Sequence, residues 1–265
     1  MSALTRVTRT LSLRQRVLWA ALLIWTLLAV VASPRSSATQ VSGTGPMTLR
    51  VGVDPSFVPF EFYTGPETPP IGYDIDLAGA LAKRLNRELV IVPMTYDGFV
   101  DALRTGAVDA VISAFPPDQR LTQDLHFSGA YFNAGPTLVV RDGETLPNRP
   151  LSLAVELGSA ADLAARRLKP PPAAIRRLPG TDAVVEAVRS GEVDAGLMDM
   201  VSALQADKSV TPLGYPIENE FYTVAVRLDQ QGLAQEIDAA LELLRAEGYL
   251  DALAVKWMGR AAPRP

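Results

Sequence analysis

The sequence predicts an α/β fold of two similar lobes with a ligand cleft between them. Three observations carry that reading. The first is an internal repeat: residues 97–113, DGFVDALRTGAVDAVIS, align without a gap to residues 182–198, DAVVEAVRSGEVDAGLM, with eight of seventeen positions identical. The second is an echo upstream of each copy: residues 49–54, LRVGVD, match residues 151–156, LSLAVE, an apolar strand ending on an acid both times. The third is the order of elements. Each half reads strand, helix, strand, helix, strand, and right-handed crossovers make such an order a parallel sheet.

Residues 1–46 stand apart. They hold Arg6, Arg9, Arg14, Arg16 and Arg35 and no acid, and residues 17–32 form the apolar run VLWAALLIWTLLAVVA. A basic stretch, an apolar stretch and small residues after it make a secretory signal within residues 1–38. Cleavage would follow Ala32 or Ala38, and an uncleaved anchor is the alternative. The apolar run has sixteen residues, short of the roughly 20 that span a bilayer as a helix. No cysteine follows it, which excludes a lipid-anchored lipoprotein. Without residues 1–46, 20 Lys and Arg (25 minus 5) face 29 Asp and Glu, a net charge near −9. That balance argues against nucleic-acid binding, which needs a basic face. It suits a soluble extracytoplasmic protein that needs no disulfides to fold.

Each element has a local reason. Residues 49–53 are strand-forming. Asp54 ends that strand and is followed by PSFVPFEF, in which three phenylalanines exceed what a turn requires. Phe57 is expected either to face a ligand or to pack as core, while Phe60 and Phe62 hold the loop to its lobe. A longer helix over residues 76–86 has Asp76 as its expected cap. In both repeat copies an aspartate, Asp97 or Asp182, is placed to cap a short helix. Arginine lies near the helix end, glycine supplies the left-handed turn that stops it, and a buried strand follows. Asp109 and Asp194 start those strands and read as turn or cap residues. Glu61 and Asp97 read as surface or cap positions, and His126 as solvated or paired rather than metal-bound. A short helix over residues 160–168 precedes a proline-rich loop. Residues 234–259 are helical, interrupted at Gly248, with Leu241, Leu244, Leu250, Leu253 and Trp257 as a core stripe. Ligands bind outside the carboxyl ends of strands in open α/β sheets, which places Asp54 and Glu156 at the cleft, one from each lobe.

Seven segments in order resemble the family 3 solute-binding proteins, the polar amino-acid receptors of ABC importers. They are LRVGVDPSFVPFEF, GYDIDLAGALAKRL, DGFVDALRTGAVDAVIS, DLHFSGAYFNAG, GSAADL, AVRSGEVDAGLMD and LRAEGYLDALAVKWMG. The resemblance implies a type II periplasmic-binding-protein fold with parallel-rich sheets and two hinge crossings. Lobe 1 would comprise residues 47–134 and 225–265, and lobe 2 residues 135–224. It further implies a monomer that captures a polar amino acid and delivers it to an ABC permease, with no cofactor or metal. Arg120 would hold the ligand's α-carboxylate, with a solvated loop arginine as the alternative. Asp199 would hold the α-ammonium, or cap a helix. Phe57 and Tyr96 would flank the ligand, Asp54 would meet its polar end, and Ser113, Ala114 and Ser159 would supply donors.

The chain departs from the family pattern in three places. Arg120 lies one residue further from Phe127 than usual, Pro116 has no backbone N–H where a donor is common, and Ala160 stands where a hydroxyl residue is common. Fewer carboxylate donors, and the acids Asp54, Glu156 and Asp199 against one arginine, point to a ligand with a cationic or amide-rich end. Two other functions fit the same fold. One is a periplasmic cyclohexadienyl dehydratase using Glu156 or Glu61 as acid; the other is a membrane-tethered sensor.

Overall fold

A computed structural model describes residues 47–262. The expected signal or anchor lies outside these residues. No helix among the described residues is long and apolar enough to cross a membrane.

The first sheet begins with β1 (Met47–Val53), whose alternating and then fully buried pattern fits a central strand. A hairpin of β2 (Ser56–Phe57) and β3 (Glu61–Phe62) follows, and then helix α1 (Tyr73–Arg84). Strand β4 (Arg87–Pro93) pairs parallel with β1 along its whole length. A single 3-10 turn leads into α2 (Phe99–Thr105), and β5 (Ala110–Val111) pairs parallel with the other side of β1. Strand β6 (Leu125–Phe127) enters the same sheet only through β14 (Ala225–Arg227), which runs antiparallel to both β5 and β6. The order is β4-β1-β5-β14-β6.

The second sheet repeats this plan with other strands. Strand β9 (Ser152–Glu156) takes the place of β1. Parallel to it lie β10 (Ala174–Leu178) and β11 (Ala195–Asp199), while β8 (Pro136–Arg141) runs antiparallel to its two neighbours, β11 and β12 (Val210–Leu213). Helices α3 (Ala160–Ala165), α4 (Thr181–Arg189) and α5 (Met200–Gln205) accompany it. The order is β10-β9-β11-β8-β12. Both sheets are therefore mixed, with four strands running one way and a single strand, β14 in the first and β8 in the second, running against them. The parallel arrangement expected of the three repeat strands in each half is found, in β1, β4 and β5 and in β9, β10 and β11. The strand that runs against the others is in each sheet the one by which the chain enters it after a crossing, β8 in the second sheet and β14 on the return to the first.

Between the sheets, β7 (Phe132–Asn133) pairs antiparallel with β13 (Phe221–Tyr222). Gly135 follows β7 immediately, and a Cβ placed there would lie 1.8 Å from the Glu218 carbonyl oxygen. Gly135→Ala should therefore push the two crossing segments apart. Overpacking of this kind costs about 1–3 kcal/mol. A thermal melt should show it as a Tm loss of about 3–10 °C for a chain of this size, and an unchanged Tm would show that the crossing yields freely.

The repeat's shared residues do the same job in each half. The Asp109 carboxylate accepts from the Arg50 backbone N–H at 2.8 Å and from the Arg50 guanidinium at 2.6 Å. The Asp194 carboxylate accepts from the Ser152 N–H at 2.8 Å and the Arg149 guanidinium at 2.6 Å. In each lobe an acid at the head of the third strand pins the amide that starts the first. The Arg149 guanidinium and the Ser152 amide hold Asp194 at a pKa of about 2. Gly106 and Gly191 take the left-handed turn at φ 72° and 79°.

Three expected caps are corrected. Gly98 and Gly180, not Asp97 and Asp182, precede α2 and α4, and neither helix has a side-chain cap. Asp182 lies in the first turn of its helix, where a carboxylate still favours the helix dipole. Asp76 is also inside its helix, and accepts from Lys256 Nζ at 2.6 Å and Trp257 Nε1 at 2.7 Å. It thereby ties α1 to α7 (Tyr249–Met258), which follows α6 (Gln231–Ala246) after a left-handed Gly248. Leu241, Leu244, Leu250 and Leu253 are buried in the first lobe's core, and Trp257 packs against it. His126 Nε2 lies 2.9 Å from Asp238 Oδ2.

Candidate functional site

The carboxyl ends of β1 and β5 and the β2–β3 hairpin enclose a cavity of about 360 Å³. Asp54, Ser56, Phe57, Glu61, Tyr96, Ser113, Ala114, Pro116, Glu220 and Tyr222 line it. Five of the residues expected at the ligand are thus together: Asp54, Phe57, Tyr96, Ser113 and Ala114. Asp54 and Glu220 face the space, Glu61 is buried in its wall, and no lysine or arginine is among the described residues lining it.

Asp54 is fixed from both sides. Its N–H donates to Ser113 Oγ at 3.0 Å, and its Oδ2 accepts from the Tyr96 N–H at 2.8 Å. One carboxylate oxygen is thereby committed, and Oδ1 accepts no hydrogen bond from the described residues. Phe57 is 43% exposed and lies on the fully buried Phe60, with ring centroids 5.5 Å apart and planes 13° from parallel. Phe60 in turn meets Tyr73, Phe132 and Tyr222 at 5.2–5.6 Å. The question raised by three phenylalanines in one loop therefore has a divided answer. Phe57 presents a ring face to the cavity, Phe60 is the anvil beneath it, and Phe62 packs edge-on against Trp257 at 6.0 Å. Tyr96 is half exposed across the cavity and packs on Phe99 and Phe115.

The donors expected from Ser113 and Ala114 are committed elsewhere. The Ser113 hydroxyl donates to Glu61 Oε1 at 2.6 Å. The Ala114 N–H points to Asp74 Oδ2 at 2.6 Å and lies 3.1 Å from the Tyr131 hydroxyl. Both residues line the wall, but their protons are directed into the protein. The reason is a pair of acids behind the wall, and it also corrects the reading of Glu61 as a surface or cap residue. Glu61 is 1% exposed and Asp74 is fully buried. Burial, and then the Asp74 charge, push the Glu61 carboxyl far above the usual carboxylate range. Burial also pushes Asp74 up, opposed by the Ala114 amide.

Arg120 is not in this cavity. It lines a neighbouring one with Tyr96, Phe115, Pro116, Pro117 and Asp118. Its side chain is 88% exposed, and its guanidinium folds back on Asp118 at 2.6 Å. The Asp118 carboxylate also accepts from the Arg120 N–H, so a tight local turn satisfies the pair. This hydrogen bonding holds the Asp118 carboxyl below its ordinary range. Glu156, Ser159 and Asp199 belong to the second sheet and do not line the first cavity. Glu156 Oε2 accepts from Thr181 Oγ1 at 3.1 Å. Ser159 caps α3 by accepting from the Asp162 N–H, and donates to the Glu156 carbonyl. Asp199 caps α5, its two oxygens taking the Ser202 N–H and hydroxyl at 2.9 and 2.7 Å. The alternative roles named for Arg120 and Asp199, loop arginine and helix cap, describe their contacts here. All three second-lobe residues nevertheless stand at the carboxyl ends of β9 and β11, the edge where α/β sheets bind ligands.

The pattern of the bacterial extracellular solute-binding proteins, family 3, matches residues 49–260, which is nearly the whole of both lobes. The chain belongs to that family. This solute-binding protein is 28% identical to the glutamine-binding protein of an ABC transporter from Bacillus subtilis, over 71% of its own length and 72% of the relative's. It is 25% identical to the arginine-binding extracellular protein of the same organism, over 90% and 97% of the two chains. Among solved structures, an ancestral cationic amino acid solute binding protein is 32% identical over 80% of this chain and 95% of its own, with a TM-score of 0.58. The fold is that of the type II periplasmic binding proteins, with two α/β lobes and sheets rich in parallel strands.

Asp74, Glu220 and Tyr222 were not singled out as site residues, and Glu61 only as the acid of the dehydratase alternative. Asp74 was legible in principle. It stands at i with Leu77, Ala78 and Leu81 at i+3, i+4 and i+7, so it lies on the buried stripe of α1, and an acid on such a stripe is a signal. Glu220 and Tyr222 had none, because the return crossing brings them to the cavity from over a hundred residues away.

Proposed function

We propose that this protein captures a free amino acid with a cationic or amide-rich side chain and presents it to an ABC permease, without chemistry on the ligand. The observation that carries the reading is the cavity wall: the half-buried Asp54 carboxylate, with one oxygen turned away from protein donors, set among the rings of Phe57, Tyr96 and Tyr222. A carboxylate supplies the charge-assisted bond, and aromatic faces attract an ammonium or guanidinium. The names of the relatives, which bind glutamine and arginine, and of the cationic amino acid binding structure support the same class. Arg120 would serve the α-carboxylate by leaving Asp118, and Asp199 the α-ammonium, once the lobes close about the β7–β13 crossing. The protein would act as a monomer outside the cytoplasm, either released or tethered by residues 17–32.

A thermal-shift screen of residues 39–265 against the twenty amino acids and small amines tests this. Ligand at 100 times its Kd stabilises by about 2.7 kcal/mol. Arginine, lysine, ornithine or glutamine should raise Tm, with glutamate and aspartate giving no rise. A response to glutamate or aspartate alone would overturn the charge argument. Turnover of prephenate or arogenate to an aromatic product would overturn the binding-only reading.

A further inference from the structure

Beneath the cavity wall, two buried carboxyl groups share a site with no cation between them. Glu61 Oε1 accepts from Ser113, and Asp74 Oδ2 accepts from both the Ala114 N–H and the Tyr131 hydroxyl, the latter at 2.8 Å. That leaves Glu61 Oε2 and Asp74 Oδ1, both buried and both without a donor in the protein. The Asp74 N–H donates to the Phe60 carbonyl at 2.9 Å, the peptide group that leads into Glu61, and the two carboxyl groups hold the neighbouring residues Ser113 and Ala114, so the geometry sets them side by side. Two ionised carboxylates at that range repel, and buried oxygens without a partner are costly. One proton between them removes both penalties.

The groups attached to this pair face the ligand. Ser113 links Glu61 to the Asp54 backbone amide. Ala114 has φ 43°, a left-handed conformation that costs a non-glycine residue stability and persists only where the surroundings dictate it. Its amide bond to Asp74 is such a constraint. Tyr131, which shares Asp74, adjoins the crossing strand β7. The titratable groups around the pair are Asp54, Tyr73, Tyr131 and Tyr222, and Arg245 acts on Tyr73 from behind.

We propose that Glu61 and Asp74 hold a single shared proton, and that this proton positions the Ser113–Ala114 wall of the ligand cavity and ties it through Tyr131 to the crossing strand. The pair positions the wall and need not touch ligand. The inference deepens the proposed function and rests on it for the meaning of the wall, but its test does not require a ligand. Because burial raises the pair's affinity for the proton, the stabilisation is complete below the ordinary glutamate range near pH ~4.3. It declines as pH rises through the neutral and into the alkaline range.

The test compares wild type with Glu61→Gln, whose amide can donate to Asp74 and accept from Ser113 but has no proton to lose. The readouts are thermal melts and the ¹⁵N–¹H shift of the Ala114 amide between pH 5 and pH 9, without ligand. The wild-type Tm should fall by roughly 5 °C more than that of the variant across this range. The Ala114 amide should move with pH in wild type only. Asp74→Asn, as a second variant, should shift the step to lower pH, since the charge that raises Glu61 is gone. Equal Tm slopes in wild type and Glu61→Gln, or an Ala114 amide that titrates alike in both, would overturn the proposal. Arginine binding by calorimetry forms a separate arm. Its Kd should rise with pH in wild type and stay level in Glu61→Gln, and a parallel pH trend in both would reduce the pair to fold stability and overturn its positioning role. If arginine binds neither protein at any pH, the amino-acid reading fails, and the melts and the amide shift still decide whether the proton exists.

Discussion

Asp54→Ala should weaken arginine binding by about 10²–10³-fold, the largest loss expected from any single change at the cavity. Removing one partner of a desolvated charge pair costs about 2–5 kcal/mol, and each 1.4 kcal/mol is a factor of ten. The substitution has two consequences that a second variant separates. It removes the charge opposite a guanidinium, and it takes away the acceptor of the Tyr96 N–H. Asp54→Asn keeps an acceptor for Tyr96 and removes only the charge. If charge dominates, both variants lose arginine alike, while glutamine suffers less in the asparagine form. If positioning of Tyr96 dominates, the asparagine form binds both ligands nearly normally. Isothermal titration with the two amino acids decides between them, and a change below threefold for arginine in both variants would remove Asp54 from the binding site.

Phe60→Ala should produce the largest loss of stability. Its ring is fully buried and contacts four aromatic rings, at Phe57, Tyr73, Phe132 and Tyr222. Phe→Ala in a core typically costs about 3–5 kcal/mol, because the lost transfer energy is joined by an unfilled cavity. That is a large part of the ~5–15 kcal/mol by which domains are stable. A Tm loss of about 10 °C or more is expected. The effect should reach function as well, since Phe57 rests on this ring and Phe132 and Tyr222 belong to the crossing strands. Phe60→Leu refills most of the volume and should recover much of the Tm but less of the ligand affinity, because a leucine offers no flat face to Phe57. Equal recovery of both would make Phe60 ordinary packing.

The sequence carried further for the scaffold than for the site, and the residues show why. The repeat was legible because it rests on local rules: a short amphipathic helix, a glycine in the left-handed turn, an acid at the next strand's head. Those same rules misplaced the caps at Asp97, Asp182 and Asp76, since a helix start moved by one, two and four residues respectively leaves the pattern of each segment unchanged. Asp109 and Asp194 were recognised as equivalent, but their partners are the amides of Arg50 and Ser152, 59 and 42 residues away. Only pairing of the strands brings them together.

What the sequence by itself determined is the two-lobed α/β plan, the strand ends on which Asp54 and Glu156 stand, and the separation of Phe57 from Phe60 and Phe62 as different kinds of aromatic. The plan and the strand ends follow from periodicity and spacing along the chain, and the role of Phe57 from the resemblance to the solute-binding family. The tertiary structure alone decided the burial and direction of the groups at those strand ends. Glu61 and Asp74 are ordinary acids in sequence. They become a buried pair because α1, the β2–β3 hairpin and the end of β5 close over them and exclude water. That exclusion draws the Ser113 and Ala114 protons inward, and it leaves the Asp54 carboxylate and the Phe57, Tyr96 and Tyr222 rings to face the cavity. Local sequence specifies which groups are present. Desolvation, which depends on every segment that packs around them, specifies their charge and where they point.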